Sequence, residues 1–236
     1  ELPDSAKKAV LALIFKKGDR DLLKNYRPIS LTNYDYKIIA FVLARRLQKV
    51  IPNICNSDQT AYIKKRFIGC NARLIQDIMD YSELYNKKGV LLCLDFQKAF
   101  DTVNWDFMIK VLKKFNFGDK FIKWIEILYN DPRLVIKNNG WLSKEVRLSR
   151  GIRQGCPISA LLFIIAVEIL AINIRSNEYV KGYRVNTREV KISQYADDST
   201  IMLNDIDSIS YVLDIVQDRK STRLNSSHTV ISYAVF

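Results

Sequence analysis

Apolar residues along this chain fall into two kinds of repeat, and the repeats divide it into elements. From Asp35 to Val50, Ile38, Ile39, Val42, Leu43, Leu47 and Val50 recur at helical spacing, with Arg45, Arg46 and Lys49 on the other face and Pro52 as the stop. A second helix is expected over residues 71–85, stacking Leu74, Ile75, Ile78, Met79 and Ser82 and ending before Gly89. Asn104 is a plausible N-cap for a helix carrying Phe107, Met108, Val111, Leu112 and Phe115. A further helix is expected over 120–129, and "ALLFIIAVEILAI" begins a long apolar helix that Pro157 can start. A last one, from about Asp205, carries Ile206, Ile209, Val212, Leu213 and Val216.

Shorter apolar runs read as strands. "AVLALIF" leads to the basic turn "KKGDR", and Pro28 makes "NYRPISLT" extended. "VLLCLD" is continuous and predicts a strand buried on both faces. "LVIKNNGWLSKEVRL" predicts a hairpin turning at Asn139-Gly140, and "VKISQYADDSTIML" a strand, a tight turn and a strand. Residues 219–236 contain no acidic residue and many Ser and Thr. They show no periodicity and read as a tail foreign to the fold, although Val230, Ile231, Val235 and Phe236 permit a stray strand.

Composition narrows the function classes. Of 236 residues, 37 are Lys or Arg and 25 are Asp or Glu, a formal charge of +12. So basic a chain commonly meets a polyanion, nucleic acid first, although a solvated basic surface without a partner fits the charge equally well. Cys55, Cys70, Cys93 and Cys156 are scattered and His228 is the single histidine, which argues against a Cys/His metal site and leaves the cysteines as packing thiols. The most apolar segment is cut by Glu168 and is shorter than the roughly 20 residues of a membrane span, so a buried helix is expected and no membrane partner. No secretion signal is evident, which gives an intracellular expectation, nuclear or cytoplasmic.

Two strands end in carboxylates: "LLCLD" at Asp95 and "QYADD" at Asp197 and Asp198. If the strands are neighbours, three carboxylates converge at one sheet edge. That is tolerable when cations neutralise them, and without His or Cys the hard ion Mg²⁺ is the natural choice. Two such ions would suit an in-line phosphoryl displacement. Taken alone, an Asp-Asp pair reads first as a polar hairpin turn, because Asp is a common turn residue.

"NYRPIS", "LCLDFQKAF", "RGIRQGCP" and "YADD" occur in that order. Together they resemble the reverse transcriptase domain of LINE-type (non-LTR) retrotransposons across about residues 2–217. The resemblance implies an α+β right-hand polymerase fold with a small antiparallel palm sheet backed by helices. Fingers would take residues 1–88 and 116–150, palm 89–115 and 151–217, with no thumb and with the 218–236 tail outside the fold. It implies an RNA-directed DNA polymerase using two Mg²⁺ ions, or Mn²⁺ in their place, with RNA template, DNA primer and deoxynucleoside triphosphates as partners.

Residue by residue, Asp95, Asp197 and Asp198 look like catalytic metal ligands, assisted by the Phe96 carbonyl. Lys16 and Arg27 look like the triphosphate grip. Phe100 resembles the bulky residue under the incoming sugar, flanked by Lys98 and Ala99 as nucleotide contacts. Gln154, Gly155 and Ala196 would border the nascent base pair. Each has a plainer reading: surface cations for Lys16 and Arg27, a core aromatic for Phe100, a turn glycine for Gly155. Arg153 is a weaker candidate for the template backbone. The resemblance ends near Asp218, before a catalytic-lysine loop, primer grip and thumb. Impaired polymerisation is therefore expected, and a remnant that only binds nucleic acid is the alternative. A polymerase that makes RNA fits less well, because Phe100 would clash with a ribose 2′-hydroxyl.

Overall fold

The structure, a computed structural model, describes residues 1–96, 98–221 and 229–236. A helical turn, α1 (Asp4–Lys7), leads into β1 (Lys8–Phe15), which pairs antiparallel with β2 (Tyr26–Thr32). β2 is an edge strand, where the missing N–H of Pro28 is tolerated. β1 pairs in parallel on its other side with β4 (Arg133–Asn138). β4 turns through left-handed Asn139 and Gly140 into β5 (Trp141–Leu142), as the Asn-Gly pair predicts, and also pairs with β6 (Val146–Arg147).

The second sheet is antiparallel throughout, in the order β11-β3-β10-β9. It comprises β3 (Val90–Phe96), β9 (Ile192–Tyr195), β10 (Asp198–Leu203) and β11 (Thr229–Val235). β3 is not buried on both faces. Val90, Leu92 and Leu94 are buried, whereas Cys93 and Asp95 are exposed, because α3 (Ile68–Tyr85) covers their face only farther along, around Leu91 and Met202. Cys70 is exposed as well, so only Cys55 and Cys156 are packing thiols. A small hairpin of β7 (Tyr183–Val185) and β8 (Arg188–Val190) turns at left-handed Asn186; no strand reading covers it.

The strand β11 corrects the expectation that the whole tail lies outside the fold. Seven register pairs, Thr229↔Phe96 to Val235↔Val90, place it on the free edge of β3. The Gly89 and Phe236 backbones exchange two hydrogen bonds at 3.0 and 3.1 Å, and the Phe236 ring packs 5.6 Å from Tyr183. An unpaired edge accepts any segment of suitable β-propensity. Ile231, Tyr233 and Val235 stay exposed, so β11 adds hydrogen bonds more than core. His228 lies outside the described residues.

Helices α2 (Tyr34–Ile54), α5 (Trp105–Lys114), α6 (Asp119–Leu128) and α7 (Ser159–Ser176) share the largest apolar cluster. Asn104 caps α5 as expected, accepting the Phe107 N–H at 3.1 Å. Pro52 does not stop α2, which continues to Ile54. A proline in a last turn removes one hydrogen bond, and here the Arg66 guanidinium donates to the terminal carbonyls of Pro52 and Cys55 at 3.1 and 3.0 Å. The helix α3 (Ile68–Tyr85) ends at left-handed Asn86 rather than at Gly89. A short α4 (Ala99–Thr102) follows β3, and α8 (Ser208–Ser221) packs its Val212 and Val216 beneath the second sheet.

α7 is apolar all round and almost wholly buried, which is how a central helix reads. It is long and apolar enough to cross a membrane by length and composition, yet it packs inside the protein. Glu168, 1% exposed, is tolerated there because Arg175 one side of the helix further on pairs with it.

Candidate active site

The second sheet brings the three carboxylates together. Ser199 faces Leu94 across the β10–β3 ladder, so one register step further Asp198 comes opposite Asp95, both exposed at the strand ends. Asp198 also pairs with Tyr195 across a two-residue turn, Ala196-Asp197. Strand alternation and the tight turn thus bring residues a hundred positions apart to one edge of the sheet.

The electrostatics follow from this placement. The Asp197 carboxyl titrates above its ordinary range, chiefly because it is half-buried, and because Asp198 and Asp95 repel its charge; Lys16 opposes the shift. Lys16 is exposed just beyond β1 of the first sheet. Arg27 on β2 comes close to Tyr62, whose phenol is raised by desolvation and then by Asp197. The sequence-predicted residues Asp95, Asp197, Asp198, Lys16 and Arg27 are thus gathered in one neighbourhood.

The remaining predicted residues form a second group beside it. Phe100 is half-buried on α4 and stacks on Phe163 of α7, ring centroids 4.1 Å apart and planes 16° apart. Its carbonyl accepts the Ile152 N–H at 2.7 Å. Gln154 donates to Asp101 at 3.3 Å, and its carbonyl accepts the Ser30 N–H of β2 at 2.8 Å. Gly155 has φ +100°, and a Cβ there would sit 2.8 Å from the Ser30 carbonyl oxygen. Glycine is needed at 155 on both counts. A cavity of about 330 Å³, lined by Leu11, Pro28, Ser30, Asp101, Gly151 and Gln154 among others, lies between the first sheet and this loop. Burial raises the Asp101 carboxyl, against the Gln154 hydrogen bond and Lys98.

Three expectations change, for Ala99, Ala196 and Arg153. Lys98 is exposed in a left-handed conformation at the start of α4, where it can reach a ligand from solvent. The Ala99 side chain is instead buried in the main core cluster. Ala196 is buried too, and both its backbone groups are engaged by Gln59, which makes it part of the support of the site. Arg153 is 3% exposed, lies over the Tyr36 ring at 4.8 Å and donates to the Lys7 carbonyl at 2.9 Å. It ties the loop to the start of β1 and cannot meet a template from there.

Gln59 and Tyr62 carry no motif and were not anticipated. They sit in "DQTAY", which gives no periodic signal, and their place beside β9 depends on a bridge between residues 59 and 194.

Hard oxygen donors, mutual repulsion and one opposing ammonium make this site suited to a cation such as Mg²⁺. Among the described residues no group of three or more His, Cys, Asp or Glu side chains is placed to hold a metal ion. The fit rests on donor chemistry alone: carboxylate oxygens, with no His or Cys beside them, suit a hard ion.

Comparison with known proteins points the same way. A family model described as reverse transcriptase (RNA-dependent DNA polymerase) matches residues 14–227. The chain is 34% identical over 206 residues to the transposon TX1 uncharacterized 149 kDa protein of Xenopus laevis, covering 87% of this chain and 16% of that protein. It is 24% identical over 196 residues to the retrovirus-related Pol polyprotein from type-1 retrotransposable element R2 of Popillia japonica, covering 83% and 27%. It thus spans a minor part of the length of these relatives. Among solved structures, telomerase from Candida tropicalis in complex with the TWJ fragment of telomeric RNA superposes with a TM-score of 0.64 at 15% identity, covering 97% of this chain and 41% of that one. Apo telomerase from the same organism, truncated from the C-terminal domain, gives 0.63 at 13% identity over 99% and 51%. These neighbours share the fold. With the family model matching nearly its whole length, the chain belongs to the reverse transcriptase (RNA-dependent DNA polymerase) family, in the branch of the non-LTR retrotransposons.

Proposed function

We propose that this chain carries the nucleotide-adding centre of an RNA-directed DNA polymerase, with its second sheet as palm (89–115 and 151–217) and its first as part of the fingers (1–88 and 116–150). The observation that carries the reading is the strand register that sets Asp198 opposite Asp95 with Asp197 in the adjoining turn; the raised Asp197 carboxyl, with Asp198 and Asp95 among its causes, agrees with it. In the reaction the primer 3′-hydroxyl oxygen bonds to the α-phosphorus of a deoxynucleoside triphosphate, and the bond to the β-phosphate oxygen breaks, releasing pyrophosphate.

Asp95, Asp197 and Asp198 would hold two divalent ions, with the Phe96 carbonyl assisting. Bound there, Mg²⁺ would neutralise the carboxylates and the charge on the phosphoryl oxygens. Lys16 and Arg27 bind the triphosphate, one as a point charge and the other as a planar fork. Phe100, braced by Phe163, presents an aromatic edge that a ribose 2′-hydroxyl would strike. The loop at Gln154-Gly155 approaches closely enough to line the nucleotide. A net charge of +12 supports a template and primer partner whose affinity falls with salt. The telomerase neighbour was solved with a fragment of telomeric RNA, which supports RNA as a partner; a nuclear or cytoplasmic location goes with this reading.

Primer extension on an RNA template, with deoxynucleotides or ribonucleotides and with Mg²⁺ present or chelated, tests the proposal. Deoxynucleotide addition should require the ion and fall more than about hundredfold in Asp197→Asn, since loss of such charge stabilisation is worth several kcal/mol. Salt-dependent RNA binding without extension above the Asp197→Asn background would overturn it in favour of a binding remnant.

A further inference from the structure

The turn that presents Asp197 contains a residue in a costly conformation. Ala196 has φ 57°, in the left-handed region where a Cβ is disfavoured, and nothing in its own side chain can compensate. The compensation comes from residue 59. Gln59 is fully buried. Its Oε1 accepts the Ala196 N–H at 3.0 Å, and its Nε2 donates to the Ala196 carbonyl at 3.3 Å. A primary amide offers acceptor and donor side by side, so one side chain can engage both polar groups of one residue. The same Oε1 accepts the Ala61 N–H at 3.0 Å, which fixes the rotamer of the amide.

The segment around Gln59 is itself held from three sides. The Thr60 N–H donates to the Gln194 carbonyl at 3.0 Å and the Gln194 N–H to the Asp58 carbonyl at 2.8 Å, so the segment runs parallel to β9 as one extra bridge. Arg66 donates to the Gln59 carbonyl at 2.7 Å and to those of Cys55, Pro52 and Asn56. Arg175 pairs with Asp58 at 2.6 Å and with buried Glu168. A continuous chain of contacts therefore runs from the core helix α7 to the peptide beside the catalytic carboxylate.

We infer that Gln59 is a positioning residue, which holds Ala196 left-handed and so sets where Asp197 stands relative to Asp198 and Asp95. Its consequence for turnover rests on the polymerase reading; its hold on the turn does not. Amide hydrogen exchange, followed by NMR on the whole 236-residue chain without substrate, separates the two. In Gln59→Ala the Ala196 amide should exchange about 10–100-fold faster, the scale of one buried hydrogen bond. The Met202 amide, bonded to the Lys191 carbonyl deeper in the same sheet, should keep its protection. Gln59→Glu retains an acceptor, so it should restore protection at Ala196 while leaving the carbonyl without its donor. In primer extension Gln59→Ala should lower kcat about tenfold or more with little change in nucleotide KM, the mark of a misplaced reactive group. Unchanged Ala196 exchange in Gln59→Ala, or loss of protection at Ala196 and Met202 together in both variants, would overturn the inference. A wild-type chain that fails to extend primers would count against the polymerase reading and leave the exchange result to decide on Gln59.

Discussion

Arg175 grips Asp58 at 2.6 Å while its other guanidinium nitrogen pairs with Glu168, and so one cation on the central helix joins a buried acid to the loop that braces the Ala196-Asp197 turn. Glu168 also accepts the Asn56 N–H at 3.4 Å. The acid that interrupts an otherwise apolar helix is the anchor of a polar network and no accident of the sequence.

Removing the cation should therefore be severe. Arg175→Met leaves Glu168 and Asp58 without their partner, and uncompensated buried charge costs about 3–5 kcal/mol. Chemical denaturation should show a fall of that order. Arg175→Lys, which keeps the charge but loses the fork, should fall between the variant and the wild type.

Stability should also depend on pH through Glu168. Burial raises its carboxyl above the ordinary range despite Arg175, and its Oε2 has no hydrogen-bond partner among the described residues. A raised folded-state pKa means the folded protein binds the proton more tightly than the unfolded chain. The contribution is complete below the unfolded value of about 4.3 and is lost as pH rises through the higher folded value. Glu168→Gln should be flatter than the wild type over that window in paired denaturation curves. Parallel curves would show that Glu168 does not titrate there.

Sugar selection is tested at Phe100. Phe100→Val shortens the side chain that stacks on Phe163, so ribonucleotides should gain relative to deoxynucleotides. A change of about 10–200-fold in the ratio of kcat/KM values is the range for a steric contact of this size. An unchanged ratio would leave Phe100 as a core aromatic.

Deleting residues 222–236 tests the strand at the sheet edge. Loss of the β11–β3 ladder should lower the unfolding midpoint, and the freed edge of β3 should promote association, read by light scattering. The side chains of β11 are mostly exposed, so the loss should be about 1–3 kcal/mol rather than that of a core element. A deletion that changed neither quantity would show that β11 contributes nothing to the sheet.

What the amino-acid sequence determined by itself is local. Helical spacing over α2, α5, α6 and α7, the Asn104 cap, the Asn139-Gly140 turn and the Asp197-Asp198 turn all depend on neighbours within a few residues, where periodicity and backbone preference decide. The carboxylate set was legible because strand ends and motif order point to it. Tertiary structure alone decided the rest, because each remaining feature depends on which distant segment arrives alongside. β3 proved open at Cys93 and Asp95 because α3 reaches that face only around Leu91, and β11 joined because an edge was free. Arg153 was drawn inward by Tyr36 and the Lys7 carbonyl. Gln59 has no periodic signature; it became the partner of Ala196 because the Arg66 and Arg175 networks carry it 137 residues along the chain to the one peptide whose strained backbone needed both a donor and an acceptor.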